Sequence, residues 1–202
     1  MMSDSLGPAY AANGWRGTVI DAGGGRAVTQ ALPGDSTGLD AVNQLRASGF
    51  RGCWVVALGT NDTANSLAYG GTVEQQDARR RAAIDSIMTS IGLSDPVLWV
   101  NVHLVASSGY YTADAARAWN AALRSAAMRY PNLFVYDWDF VATANPAWLS
   151  SDTIHYTATG SKNRASLIAD AATRVFAPVT VATPIAAPRD EPPKLCRVTC
   201  RF

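Results

Sequence analysis

Few of the side chains that most often advertise a function occur in this chain of 202 residues. It has two lysines, Lys162 and Lys194, two histidines, His103 and His155, and three cysteines. Seventeen cationic residues balance sixteen acids, so there is no basic footprint for nucleic acid and no polybasic patch for a charged membrane surface. The scarcity of lysine beside abundant alanine reflects coding composition rather than function. Long apolar runs are also missing. Trp54 to Leu58 is typical and falls far short of the roughly 20 residues a spanning helix requires. Two separated histidines and scattered acids give no metal-ligand spacing, and Cys53, Cys196 and Cys200 give no zinc-finger spacing. Cys53, at the start of an apolar run, is expected in the core. Cys196 and Cys200 could pair with each other only across a turn, because extended chain holds residues four apart beyond disulfide reach.

What remains is enough for one sizeable domain. Five of ten prolines fall at 178, 184, 188, 192 and 193, which excludes a helix or central strand there. We therefore expect a domain over residues 1–176 and an extended tail or linker over 177–202. Apolar, β-branched runs at 18–20, 53–58, 97–102 and 133–136 read as strands. They alternate with helical stretches at 39–47, 73–91, 113–128 and 158–175. Several begin at capping residues: Asp35 or Ser36, Thr72 with Gln75 as a capping box, Thr112 and Thr157. This alternation predicts an α/β fold, a parallel sheet covered by helices on both faces, with its chemistry at the carboxyl ends of the strands.

Three short stretches carry that chemistry: Ser3-Asp4-Ser5-Leu6, Gly59-Thr60-Asn61-Asp62 and Asp152-Thr153-Ile154-His155. An ester-cleaving serine needs a base in hydrogen-bond reach, a carboxylate to fix the base's tautomer, and N–H groups aimed at the developing oxyanion. Ser5 is the candidate serine, and His155 and Asp152 meet the first two needs. The Ser5 backbone N–H, a glycine N–H and the Asn61 amide meet the last. Gly34-Asp35-Ser36-Thr37-Gly38 holds a rival serine in a Gly-x-Ser-x-Gly pattern, but it follows Ala31-Leu32-Pro33 rather than a strand and suits a helix start. His103 has no acid close in sequence and is expected to line the cleft or lie partly buried. Gly23-Gly24-Gly25 lacks the partners of a phosphate-binding loop. Close backbone approach to an oxyanion accounts for it better. The tryptophans are expected mostly in core or rim packing, with sugar-stacking platforms possible among them.

Taken with Asp21-Ala22-Gly23-Gly24-Gly25-Arg26, these stretches resemble the four blocks of the SGNH or GDSL hydrolases, in the family's order, over residues 1 to about 176. The wording is similar to bacterial SGNH domains that accompany cell-surface O-acyltransferases. The resemblance implies a three-layer α/β/α sandwich with a flavodoxin-like sheet, Gly25 as the oxyanion glycine, no metal or cofactor, and an extracytoplasmic or secreted setting. It also implies a short acyl ester, O-acetyl on a carbohydrate or cell-wall glycan, as substrate. Acyl transfer by the same residues is one alternative, and a non-catalytic glycan-binding or structural module is the other. The sequence departs from the family in having Ser3 where glycine is usual. It also lacks the strand that should lead into Ser5, so the first strand is expected to be truncated.

Overall fold

The computed structural model describes residues 2–31 and 33–177. Within them three parallel strands, β1 (Trp54–Val56), β2 (Val97–Val100) and β3 (Leu133–Tyr136), form one sheet in the order β1-β2-β3. Trp54 pairs with Val97, and Val97 in turn with Leu133. Every side chain of β1 and β2 is buried. Period-two alternation divides them between two cores. Trp54, Val56, Val97 and Trp99 face one side with Ile84, Ile87, Met88, Trp119 and Leu123. Val55, Ala57, Leu98 and Val100 face the other with Leu6, Tyr10, Trp138, Ile168 and Ala169. Continuous apolar strands therefore follow from helices on both faces. The α/β, three-layer architecture is the expected one.

Helices α2 (Gly38–Ala47), α4 (Val73–Ile91) and α5 (Ala113–Ala127) build the first face; α1 (Met2–Ala12), α6 (Trp138–Thr143) and α7 (Ala158–Phe176) build the second. A short α3 (Thr60–Ala68) leaves the end of β1 and packs on α4 and α5. Their starts follow the capping rules. Thr72 Oγ1 accepts from Gln75 N while Gln75 Oε1 accepts from Thr72 N, the reciprocal box that satisfies two otherwise orphaned donors. Thr112 and Thr157 cap α5 and α7. For α2 the cap is Thr37, boxed with Asp40, and not Asp35 or Ser36.

Two expectations about strands and helices are corrected. The run 18–20 is not a strand: the described residues offer no ladder beside it, and a strand without a partner leaves its N–H and C=O groups unpaired. Ile20 packs instead against the second core. Ser5 lies inside helix α1, not on a turn after a strand. Gly7 and Pro8 make this helix intrinsically poor, so it is held by tertiary packing. Leu6 and Tyr10 are fully buried, and α1 lies along α7. Cys53 is buried, as expected. Cys196, Cys200 and the expected tail from 178 onward lie outside the described residues. Among the described residues, no helix is long and apolar enough to cross a membrane.

Candidate active site

A cleft of about 770 Å³ opens at the carboxyl ends of β1 and β2. Gly23 to Arg26, Gly59 to Asn61, His103, Tyr111, Trp138 and His155 are among its lining residues. Gly25, Asn61 and His155 are thus brought together. Ser5 is not among the described residues of that lining; it is half-buried on α1, which packs against the helix that begins three residues after His155.

His155 and Asp152 form a local, exposed pair. Nδ1 of the imidazole lies 2.7 Å from Asp152 Oδ2, while Asp152 Oδ1 accepts from the backbone N–H groups of Ile154 and His155, both at 2.9 Å. One carboxylate therefore folds the turn and orients the ring. The backbone bonds from His155 and Ile154, with the imidazole bond added, hold its pKa down at about 2. The turn is strained. Thr153 sits at φ 61°, a left-handed conformation that costs a β-branched residue about 1–3 kcal/mol. Such strain persists only where the surroundings impose it, here through Thr153 N to Ser150 O and Ser150 N to His155 O.

On the cleft floor, Asn61 is fixed from both ends of its amide. Tyr111 donates its hydroxyl to Oδ1 at 3.0 Å, and Nδ2 donates to the Arg26 carbonyl at 3.2 Å. The acceptor end is thereby occupied, and the amide's second N–H is the one left to serve a ligand. Gly25, at φ 67°, needs the backbone freedom of glycine. Its loop is held by Asp62, whose two oxygens accept the Val28 N–H at 3.0 and 3.1 Å. Asp62 is buried, and desolvation pushes its pKa up to about 7 against the pull of the Val28 bond. Gly59 bends β1 into α3: a Cβ there would fall on the Trp119 indole and on Val102.

The rival serine has another task. Ser36 Oγ accepts from Arg26 Nη2 at 2.9 Å, while Arg26 Nη1 pairs with Asp21. Burial lowers the Arg26 pKa, with Asp35 and Asp40 opposing. His103 does have an acid: its Nδ1 lies 2.6 Å from Asp139 Oδ1, 36 residues away in sequence, a distance at which no local motif could show it. Tyr111, Asp62 and Asp139 thus support the candidate site without having been read from the sequence. Only Asp62, inside Gly-Thr-Asn-Asp, carried a signal. Of the tryptophans, Trp54, Trp99, Trp119 and Trp138 are fully buried. Trp138 alone among those four lines the cleft, with the Arg164 guanidinium 5.2 Å from its ring centroid. No group of three His, Cys, Asp or Glu among the described residues could hold a metal.

No family model and no curated protein matches the chain. Solved structures do. A lipase/acylhydrolase from Enterococcus faecalis superposes with a TM-score of 0.66 at 19% identity, covering 86% of each chain. A peptidoglycan O-acetylesterase gives a TM-score of 0.47 at 16% identity over 68% of this chain and 41% of that one. The C-terminal catalytic domain of Streptococcus pneumoniae peptidoglycan O-acetyltransferase A gives 0.42 at 15% over 62% and 94%. The first of these is a likeness across nearly the whole described domain. The chain has the α/β fold of that lipase/acylhydrolase.

Proposed function

We propose that the protein is a serine esterase that removes a short acyl group, O-acetyl in the first instance, from a carbohydrate or cell-wall glycan. Ser5 Oγ attacks the ester carbonyl while His155 Nε2 takes its proton. Asp152 holds Nδ1–H toward itself and stabilises the imidazolium. The oxyanion is met by the Ser5 and Gly25 N–H groups and the free N–H of Asn61. Collapse expels the alcohol, protonated by His155, and leaves an acyl ester on Ser5 that water cleaves by the same steps. No metal or cofactor enters. The observation that carries this reading is the oriented His155–Asp152 pair at the cleft that Asn61 and Gly25 also line. It requires Ser5 Oγ to reach His155, and the packing of α1 along α7 supports that approach.

Hydrolysis of p-nitrophenyl acetate tests it. Turnover lost by about a thousandfold or more in Ser5→Ala and kept in Ser36→Ala is the expected result. Activity that survives Ser5→Ala would sink the assignment. One observation favours a non-catalytic glycan-binding module instead, namely that Ser5 lies outside the cleft lining. A folded wild type with no turnover above the Ser5→Ala background would select that module. Acetyl transfer to an added glycan, read by product analysis, would select the transferase alternative.

A further inference from the structure

We propose that His103, held by Asp139, is a recognition point for a hydroxyl on the alcohol half of the substrate, a polyol or sugar. This rests on the esterase reading above and goes beyond it. The side chain of His103 is 4% exposed yet lines the cleft. Asp139 is fixed through its own backbone, whose N–H donates to Asn101 Oδ1 at 2.8 Å, and Asn101 Nδ2 in turn donates to Asp137 Oδ1 at 2.8 Å. A carboxylate can only accept, so the 2.6 Å contact with Asp139 places a proton on Nδ1, and in the neutral ring Nε2 is then a lone-pair acceptor. No described residue hydrogen-bonds that nitrogen. A histidine serving packing alone has both ring nitrogens satisfied inside the protein, because a buried polar atom without a partner is costly. Here one nitrogen is anchored and the other is left for a donor that enters the cleft.

Position selects the donor. His103 follows β2 and Asn61 follows β1, the adjacent parallel strand. Both line the same cleft, so one ligand can face the Asn61 amide and the His103 ring together. An ester whose carbonyl oxygen is held at Asn61 would then present a hydroxyl of its alcohol half at Nε2.

The test compares kcat/KM for glycerol monoacetate, which has free hydroxyls beside its ester, with kcat/KM for p-nitrophenyl acetate, which has none. Taking the ratio cancels any loss common to both substrates. His103→Phe should lower the ratio about tenfold, chiefly through KM, the effect of one lost hydrogen bond. His103→Gln, whose Oε1 can accept where Nε2 did, should restore most of it. An unchanged ratio in His103→Phe, or one that Gln fails to restore, overturns the proposal. Should the wild type cleave neither ester, the esterase reading falls by itself. The His103 imidazole NMR signals titrated with glycerol then decide: a saturable shift at Nε2 supports recognition, and none overturns it.

Discussion

Rim and floor of the cleft are built by opposite means, although each presents an imidazole paired with a carboxylate. At the rim, Asp152 and His155 are three residues apart, exposed, and joined by a turn that the same aspartate folds. On the floor, His103 and Asp139 come from the ends of different strands, and His103 is buried. The rim pair is exposed and held by its own turn. The floor pair is held by the sheet and must be satisfied or destabilise the fold. Activity and stability should therefore separate between them.

The largest effect should fall at the rim. His155→Ala is expected to lower kcat for p-nitrophenyl acetate by about a thousandfold or more. Because the side chain is exposed, the melting temperature should stay within about 2 °C. A comparable loss of stability would erase the distinction. Next comes Asp62 beneath the floor. Its carboxyl is held from 3.8 up to about 7, so between those pH values the folded state keeps a proton that the unfolded chain releases. Stability must then fall as pH rises from 4 to 7, by roughly 4 kcal/mol if Asp62 alone sets it. Denaturant midpoints should show that slope in the wild type, and Asp62→Asn should flatten it.

A smaller loss is expected for Asp139→Ala, which orphans a buried imidazole nitrogen and should cost about 1–3 kcal/mol of unfolding free energy. The equivalent cut at the rim, Asp152→Ala, removes exposed bonds to the turn and should cost less than Asp139→Ala in urea titrations of the two variants. Asp152 also predicts a pH limit. Its depressed pKa of about 2 means the orienting bond to His155 is fully present above the ordinary carboxylate range and is lost as pH falls through 2. The Nδ1 proton signal should persist at pH 4. The smallest effect is relief of strain: Thr153→Asn, which tolerates φ 61° better, should gain about 0.5–1 kcal/mol, with calorimetry as the check.

How much of this was legible depends on how far apart the partners lie in sequence. Strands 97–100 and 133–136 and helix 73–91 could be read because their apolar periodicity and their Thr caps are local properties. The Asp152–His155 pair was visible for the same reason, being a three-residue turn. Asp139 beside His103, and Tyr111 on Asn61, join residues 36 and 50 positions apart, so only the tertiary fold creates them. The strand expected at 18–20 failed for a related reason. Its composition favours a strand, but a strand is a pairing, and pairing is not written in one segment. Helix α1 failed the other way, since Gly7 and Pro8 argue against a helix that packing on α7 nevertheless imposes.

Tyr111 belongs to a surface loop closed where Ala106 meets Thr112, and its hydroxyl decides which end of the Asn61 amide faces the cleft. Whatever presses on that loop can therefore rotate a proposed catalytic group without touching any of the four sequence blocks. Loop grafts between proteins of this fold, which would ordinarily be judged safe when those blocks are preserved, would here exchange the hand that holds the amide. A chimera could then keep every signature residue and still answer to a different owner.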